Sequence, residues 1–293
     1  MPPIPAPRTS GFTSTTQVPL YWAAYGTAGA PRLVVLHGGP GAHHDYLLPQ
    51  MLELARDYEL IFYDQRGGGR SKTDDRTPIT WQTHADDLDR LVDELRVEPL
   101  IIVGYSWGGL LAMLYAVEAA AGRTRHRPAQ LVLIDPAPVN RAFRDEFERE
   151  FQRRQSDASV AQLRADLASS GLRERDPDAY RQRAFELSVA GYFADPSATH
   201  DLTPFRVIGR VQQSVWESLG DFNLLMPGKL DSVHVQTLIV HGRQDPIPLA
   251  SSEAAAEAMG ATLVVIERSG HVPYVEQPQT LFSAIRDFLR RTT

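Results

Sequence analysis

The sequence predicts an α/β fold in which helices flank a mostly parallel sheet and a helical segment is inserted late in the chain. Short runs of β-branched and aliphatic residues recur between helical patterns, and such runs are typical of buried strands in a parallel sheet. Their alternation with helices indicates a doubly wound sheet with right-handed crossovers. The predicted strands of this repeat are 32–36, 60–63, 100–103, 131–134, 237–240 and 262–266.

The first helix of this repeat is predicted from apolar residues at intervals of three and four. Trp81, Leu88 and Leu95 share one face with other apolar residues, while acidic residues occupy the remaining positions. Such a helix packs its apolar face on the sheet. Upstream, segments 11–16 and 18–25 are predicted to add antiparallel strands at one edge, which gives eight strands in all.

The strand rhythm stops after Pro136, and residues 137–226 carry helical periodicity without a convincing strand. We interpret residues 137–226 as a helical cap domain, inserted into a core domain formed by residues 1–136 and 227–293. Aromatic residues of the cap are expected chiefly to hold it on the core, and some of them could line a substrate pocket.

Composition and charge narrow the function classes. The chain has 293 residues, 43% of them hydrophobic, and its formal net charge is only −6 with no block of like charges. Nucleic acid and anionic membrane are therefore poor partner candidates. No apolar run of about 18 residues occurs, and the N-terminus lacks the layout of a signal peptide. We expect a cytoplasmic protein with a small-molecule substrate, and the oligomeric state stays open.

The sequence contains no cysteine, which excludes disulfides and thiolate catalysis. His43, His44 and Asp45 are adjacent, but neighbours on a loop rarely converge on one metal ion, and no H-E-x-x-H spacing is present. We therefore expect neither a metal site nor a cofactor. Any covalent nucleophile must come from a residue type other than cysteine.

A serine nucleophile is indicated by the segment GYSWG at 104–108. It directly follows the predicted strand 100–103 and precedes the helix-forming run 110–121. At a strand-to-helix turn the flanking glycines permit a crowded backbone, and the strained serine projects its hydroxyl above the sheet edge. We therefore assign Ser106 as the candidate nucleophile.

A serine hydroxyl needs a base to take its proton as it attacks a carbonyl carbon. After a serine elbow, an acid and then a histidine follow on loops after later strands. Asp245 follows the predicted strand 237–240, and His271 follows the predicted strand 262–266. We expect Asp245 to orient His271, which accepts the Ser106 proton.

Acyl transfer also needs donors for the negative oxygen of the tetrahedral intermediate, and losing one such donor costs about 3 kcal/mol. The segment HGGPG at 37–41 ends the predicted strand 32–36, where the first donor is placed in this type of fold. We assign the N–H groups of Gly39 and Trp107 as the oxyanion hole.

Several segments together resemble the proline iminopeptidase (prolyl aminopeptidase) branch of the α/β-hydrolases. They are HGGPG at 37–41, DQRGGGRS at 64–71, the serine elbow with Trp107 after the serine, HGRQDPIP at 241–248 and SGHVPYVEQP at 269–278. The resemblance spans both core segments and implies the α/β-hydrolase fold. It also implies that Asp64, Arg66 and Arg70 organise the loop beneath the site and do not react.

The resemblance further implies release of an N-terminal residue, often proline, from short peptides or amides. Two cap glutamates would then pair with the free ammonium of the substrate, because an unpaired charge in a pocket is costly. Glu186 and Glu217 are the best candidates, since each lies beside aromatic residues in the sequence. Other glutamates are interpreted as solvated helix charges, namely Glu146, Glu148, Glu150 and Glu174.

Two other functions stay open. A carboxylesterase, lactonase or amidase would use the same triad, because the triad chemistry does not choose between ester and amide. A non-catalytic binding protein with this fold is the remote alternative. The complete set of candidate catalytic residues argues against that alternative, and aminopeptidase activity is the function that the sequence favours.

Overall fold

An eight-stranded sheet forms the centre of the computed structural model, which describes residues 4–74 and 76–291. The strands lie in the order β1-β2-β4-β3-β5-β6-β7-β8. They are β1 (Thr9–Phe12), β2 (Tyr21–Tyr25), β3 (Arg32–Leu36), β4 (Glu59–Tyr63), β5 (Leu100–Tyr105), β6 (Pro128–Ile134), β7 (Gln236–Gly242) and β8 (Thr262–Ile266).

The sheet is parallel except at one edge. β1 pairs with β2 and β2 with β4 in antiparallel orientation, and every pair from β4 to β8 is parallel. The predicted mostly parallel eight-stranded sheet is thus confirmed. The edge strand ends earlier than its predicted segment 11–16, because the Thr13 N–H bonds to Leu20 O and the chain turns there.

Helices cover the sheet on both faces. Leu33 and Val35 point into one apolar cluster, whereas Val34 and Leu36 point into the other, as strand alternation requires. The helices are α1 (Trp81–Leu95), α2 (Trp107–Ala120), α3 (Arg141–Gln155), α4 (Ala158–Ser169), α5 (Leu172–Arg175), α6 (Pro177–Ser188), α7 (Gly209–Leu219), α8 (Leu249–Met259), α9 (Pro273–Glu276) and α10 (Pro278–Arg290).

Two helices show how the sequence sets their environment. α1 begins at a reciprocal capping box between Thr80 and Thr83, and its apolar face packs on the core. α2 is apolar on nearly every side and is almost wholly buried behind the centre of the sheet. No helix in the described ranges 4–74 and 76–291 is both long and apolar enough to cross a membrane.

Helices α3 to α7 all lie between β6 and β7 in the chain, and we call residues 137–226 the helical insertion. Short 3-10 turns supplement the helices of the insertion and of the rest of the fold, at His44–Leu47, Gln50–Arg56, Ala190–Tyr192, Pro196–Ala198 and Leu230–Ser232.

The sheet order brings distant parts of the sequence together at one edge. β3, β5, β6, β7 and β8 are consecutive neighbours and run in the same direction, so their carboxyl ends lie side by side. In open α/β sheets ligands bind outside these ends. The loops that leave this edge carry, in spatial order, Gly39, Ser106, Asp135, Asp245 and His271.

Candidate active site

Ser106 occupies a strained turn between β5 and α2. Its φ of 53° and ψ of −119° are values that residues other than glycine rarely adopt. Two glycines make the turn possible, because a Cβ on Gly108 would lie 2.2 Å from Leu36 O and one on Gly104 would lie 2.5 Å from Gly108 O. The turn exposes Ser106 to a cavity at the carboxyl edge of the sheet.

His271 contacts both Ser106 and Asp245. Its Nε2 lies 3.0 Å from Ser106 Oγ, and its Nδ1 lies 2.8 Å from Asp245 Oδ2. The other oxygen of Asp245, Oδ1, accepts the Ile247 N–H at 2.7 Å. The three side chains therefore form one continuous hydrogen-bond chain, a geometry that can move a proton from the serine to the histidine.

Burial of the His271 and Asp245 side chains decides their charge states. Burial lowers the pKa of His271 to about 4 and raises the pKa of Asp245 to about 7. A proton on the Asp245 carboxyl would be donated to Nδ1 of His271 and would leave the histidine proton on Nε2. The imidazole can accept a proton from Ser106 only when His271 is neutral and Asp245 is ionised.

The helical insertion holds His271 directly. The His271 N–H donates to Tyr192 O at 2.7 Å, and the two rings pack with their centroids 4.9 Å apart. Gly270 permits this approach, since a Cβ there would lie 2.2 Å from Tyr192 O. On the sheet side, the Tyr105 hydroxyl donates to His271 O at 2.8 Å. The histidine is thus fixed from both sides.

Gly39 and Trp107 border the same cavity as Ser106. Trp107 is the first residue of α2, and N–H groups in the first turn of a helix have no acceptor within that helix. Gly39 has a φ of 129°, which glycine adopts without a steric cost. Both residues therefore lie at the rim of the cavity beside Ser106.

A buried polar network supports this rim, and the sequence reasoning did not find it. The Trp107 indole N–H donates to Gln65 Oε1 at 2.8 Å, and Gln65 Nε2 donates to His37 O at 2.8 Å. His37 Nε2 in turn accepts the Gln65 N–H at 3.1 Å. The sequence signal was that His37 belongs to the HGGPG segment and Gln65 to the DQRGGGRS segment.

The cavity in front of Ser106 has a volume of about 760 Å³ and is walled by α3 and α7 of the helical insertion. Its wall is aromatic and polar in similar measure. The aromatic members are Trp107, Phe147, Phe151, Tyr192 and Trp216, and the charged members are Arg141, Arg144, Glu148 and Glu217. Such a cavity admits a small substrate with one apolar and one polar end.

The two glutamates expected to bind an ammonium are not brought together. Glu217 is exposed and lines the cavity, with Oε1 accepting from Gln213 Nε2 at 2.7 Å. Glu186 is buried and does not line the cavity. Its carboxylate lies 3.1 Å from Arg183 Nη1 and accepts from Gln182 Nε2 at 2.8 Å.

Glu148, which the sequence pattern presents as a solvated charge, does line the cavity. It forms a 2.8 Å ion pair with Arg144, whose guanidinium lies 4.0 Å from the ring centroid of Trp216. Glu148, and not Glu186, is therefore the second glutamate that lines the cavity with Glu217.

The loop after β4 is held by ion pairs beneath the site. Asp64 Oδ1 lies 2.7 Å from His44 Nδ1, and its Oδ2 accepts the Arg70 N–H at 2.8 Å. Arg66 is buried and forms a bidentate ion pair with Asp87, in which Nε donates to Oδ2 at 2.8 Å and Nη2 donates to Oδ1 at 2.7 Å. None of these side chains is in hydrogen-bond contact with Ser106 in the described structure, which agrees with an organising function.

Known proteins share the sequence pattern over most of the chain. The model of a family described as "Alpha/beta hydrolase family" matches residues 33–284. A proline iminopeptidase of Lactobacillus crispatus is 26% identical over 276 aligned positions, covering 88% of this chain and 89% of that protein. One from Saccharolobus solfataricus is 37% identical over 115 positions, which cover 37% of this chain and 36% of that relative.

Solved structures share the architecture at lower identity. A proline iminopeptidase from Mycobacterium smegmatis has a TM-score of 0.66 and 23% identity, covering 97% of this chain and 98% of that one. An enol-lactonase from Burkholderia xenovorans LB400 has a TM-score of 0.65 and 20% identity, covering 96% and 100%. At these identities the comparisons establish the fold alone.

Proposed function

This chain belongs to the α/β-hydrolase family, and from that premise we propose that it is a serine hydrolase with Ser106 as nucleophile, His271 as base and Asp245 as acid. The observation that carries the proposal is the continuous hydrogen-bond chain from Ser106 Oγ through both ring nitrogens of His271 to Asp245. Ser106, at one end of this hydrogen-bond chain, lies in a strained turn that faces the cavity.

In the proposed mechanism, Ser106 Oγ attacks the carbonyl carbon while its proton passes to His271 Nε2. The tetrahedral oxyanion is stabilised by the N–H groups of Gly39 and Trp107. His271 then gives the proton to the leaving amine or alcohol, and the acyl group stays on Ser106. Water enters, loses a proton to His271 and attacks the ester, and Ser106 recovers its proton as the acid leaves.

The rate kcat/KM is expected to rise with an apparent pKa near 7. Burial raises the pKa of Asp245 to about 7, and a proton there puts His271 in the tautomer that cannot accept from Ser106. Activity is therefore lost as the pH falls through this value. We would measure kcat/KM from pH 5 to 9 with chemistry limiting, and a flat profile between pH 5 and 8 would contradict the assignment.

For the substrate, we propose a short peptide or amide with a free N-terminal residue such as proline. Support comes from the full-length relative named proline iminopeptidase and from Glu217, an exposed carboxylate in the cavity. Glu148 is occupied by Arg144, so Glu217 is the better acceptor for a substrate ammonium. The aromatic rings of Phe151 and Trp216 offer an apolar wall for a pyrrolidine ring.

Glu217→Gln is expected to lower kcat/KM about tenfold for proline p-nitroanilide and to leave N-acetylproline p-nitroanilide unchanged. Glutamine keeps the volume but removes the charge that would pair with the ammonium, and the carboxylate is solvated in the free cavity, so the loss is smaller than for a buried pair. The measurement is the ratio of kcat/KM between the two substrates.

Glu146→Gln is the matched control, because Glu146 is an exposed glutamate of α3 that does not line this cavity. An equal ratio in wild type and in Glu217→Gln would remove the aminopeptidase assignment. The second candidate is an esterase or lactonase, which is favoured because Glu186 is buried and does not line the cavity. It is supported if the wild type prefers p-nitrophenyl esters and blocked amides over free amines.

A further inference from the structure

Asp135 is a second acidic residue beside the triad, and the mechanism above does not use it. It directly follows β6, the strand between those that lead to Ser106 and Asp245. Its side chain is fully buried, its φ is 41°, and its N–H donates to Val240 O at 2.8 Å. The backbone thus holds this buried carboxyl group at the carboxyl edge of the sheet, next to Asp245.

The contacts of Asp135 leave one oxygen without a partner. Oδ1 accepts the Gly242 N–H at 2.7 Å, whereas Oδ2 is buried and has no hydrogen-bond partner among the described residues. Ligand-type atoms of Asp135, Asp245 and His241 all lie within 4.8 Å of one another. Two carboxyl groups therefore face each other in a site closed to solvent.

Three of the four oxygens in this pair are already engaged. Besides Oδ1 of Asp135, both oxygens of Asp245 are taken by the Ile247 N–H and by His271 Nδ1. A metal ion would have to displace these contacts, whereas a single proton on Oδ2 of Asp135 displaces none. Two ionised carboxylates buried at this distance would repel each other strongly.

The nearest histidine of β7 does not supply a positive charge. His241 Nε2 lies 3.1 Å from Ile247 O, to which it donates, and Nδ1 lies 2.9 Å from Ser252 Oγ, from which it accepts. Burial lowers the pKa of His241 to about 4. The other titratable groups that face the two carboxyls come from β5, α3, the insertion, the loop after β8 and α9, namely Tyr105, Arg154, Tyr192, His271, Tyr274 and Glu276.

We propose that Asp135 carries a proton at neutral pH and donates it from Oδ2 as a hydrogen bond to Asp245, which makes Asp135 a positioning residue for the triad. The positioning function rests on the proposed serine-hydrolase mechanism. With this bond, Asp245 is held by three donors, namely the Asp135 hydroxyl, the Ile247 N–H and His271. Above the pKa of Asp245, about 7, the carboxylate that orients the histidine is then ionised and held in place although it is buried.

The electrostatics point the same way. Burial and the neighbouring Asp245 raise the pKa of Asp135 well above its usual range. Burial also raises the pKa of Asp245, and the hydrogen bond from Asp135 counteracts this rise. The proton therefore resides on Asp135, and Asp245 is the member of the pair that ionises first.

The protonation is tested by comparing the stability of wild type with that of Asp135→Asn as a function of pH. A carboxyl whose pKa is higher in the folded state binds its proton more tightly there, so wild type loses stability as the pH rises above about 4. Asparagine has no such proton. The unfolding constant of wild type relative to Asp135→Asn is expected to rise up to about tenfold per pH unit.

Urea unfolding followed by circular dichroism from pH 5 to 8.5 measures this ratio and needs no substrate. Parallel stability curves for the two proteins would overturn the proposal. This stability measurement does not depend on the proposed function. Failure of the proposed function would appear instead as turnover by Ser106→Ala, which lacks the nucleophilic hydroxyl.

The positioning function is tested by three substitutions. Asp135→Asn keeps a donor toward Asp245 and an acceptor for Gly242, so kcat should stay within about threefold of wild type. Asp135→Ala removes the donor, and we expect kcat to fall about tenfold or more at unchanged KM, with the acid limb of the pH profile moved to higher pH. Asp245→Asn should lose far more activity than Asp135→Asn, about 10⁴-fold.

Two results would overturn this function. If Asp135→Asn loses as much kcat as Asp245→Asn, Asp135 acts as an ionised group and not as a hydrogen-bond donor. If Asp135→Ala has the kcat and the pH profile of wild type, the residue only fills space.

Discussion

Ser106→Ala is expected to lower kcat by at least about 10⁴-fold while leaving the fold intact. The variant lacks the Oγ that lies 3.0 Å from His271 Nε2, so no acyl-enzyme can form. Any residual turnover would come from the oxyanion donors and from binding, whose contribution survives loss of the nucleophile. The measurement is kcat for the best of the chromogenic amides and esters, with thermal unfolding as a check on the fold.

Ser283→Ala, a change of an exposed serine on α10, is the matched control and should keep full activity. A fluorophosphonate should label wild type at Ser106 and leave Ser106→Ala unlabelled, as read by peptide mass. Turnover of Ser106→Ala within tenfold of wild type, or a label on another serine, would disprove the nucleophile assignment.

Arg66→Met is expected to cost about 3 to 5 kcal/mol of unfolding free energy, a large part of the stability of an ordinary domain. Arg66 and Asp87 are both almost fully buried and are joined by two hydrogen bonds. Removing the guanidinium leaves the Asp87 carboxylate buried without its partner. The measurement is urea unfolding at pH 8 and at pH 5.

The pH dependence and a double variant identify the cause. Burial already raises the pKa of Asp87, and loss of Arg66 should raise it further. A proton then neutralises Asp87 in the folded variant, so the deficit of Arg66→Met should be smaller at pH 5 than at pH 8. Arg66→Met combined with Asp87→Leu should recover much of the loss. A double variant no more stable than Arg66→Met would show that packing, and not the unpaired charge, is responsible.

Much of the fold follows from local patterns. Buried parallel strands are short continuous apolar runs, and the runs at 32–36 and 262–266 coincide with β3 and β8. Other strands extend beyond their apolar runs, since β6 begins at Pro128 and β5 continues to Tyr105. Ladder hydrogen bonds extend a strand through polar or small residues that the apolar pattern alone does not mark.

The candidate site was predictable where the order of the chain determines positions. Ser106, Asp245 and His271 each follow a strand, and neighbouring parallel strands bring their loops together. Glu186 could not be placed in this way, because its position depends on which side of α6 faces inward, and α6 has no clear apolar face. Asp135 escaped notice because an aspartate after an apolar strand is also typical of a turn.

The contact between Tyr192 and His271 limits how this protein can be re-engineered. Exchanging the helical insertion between relatives would assume that substrate recognition and catalysis are structurally independent. Here a backbone carbonyl of the insertion accepts the His271 N–H at 2.7 Å, so a chimaera that lacks this carbonyl would disturb the proposed base along with the pocket. Library design is better confined to the inner faces of α3 and α7, where side chains can vary without releasing that anchor.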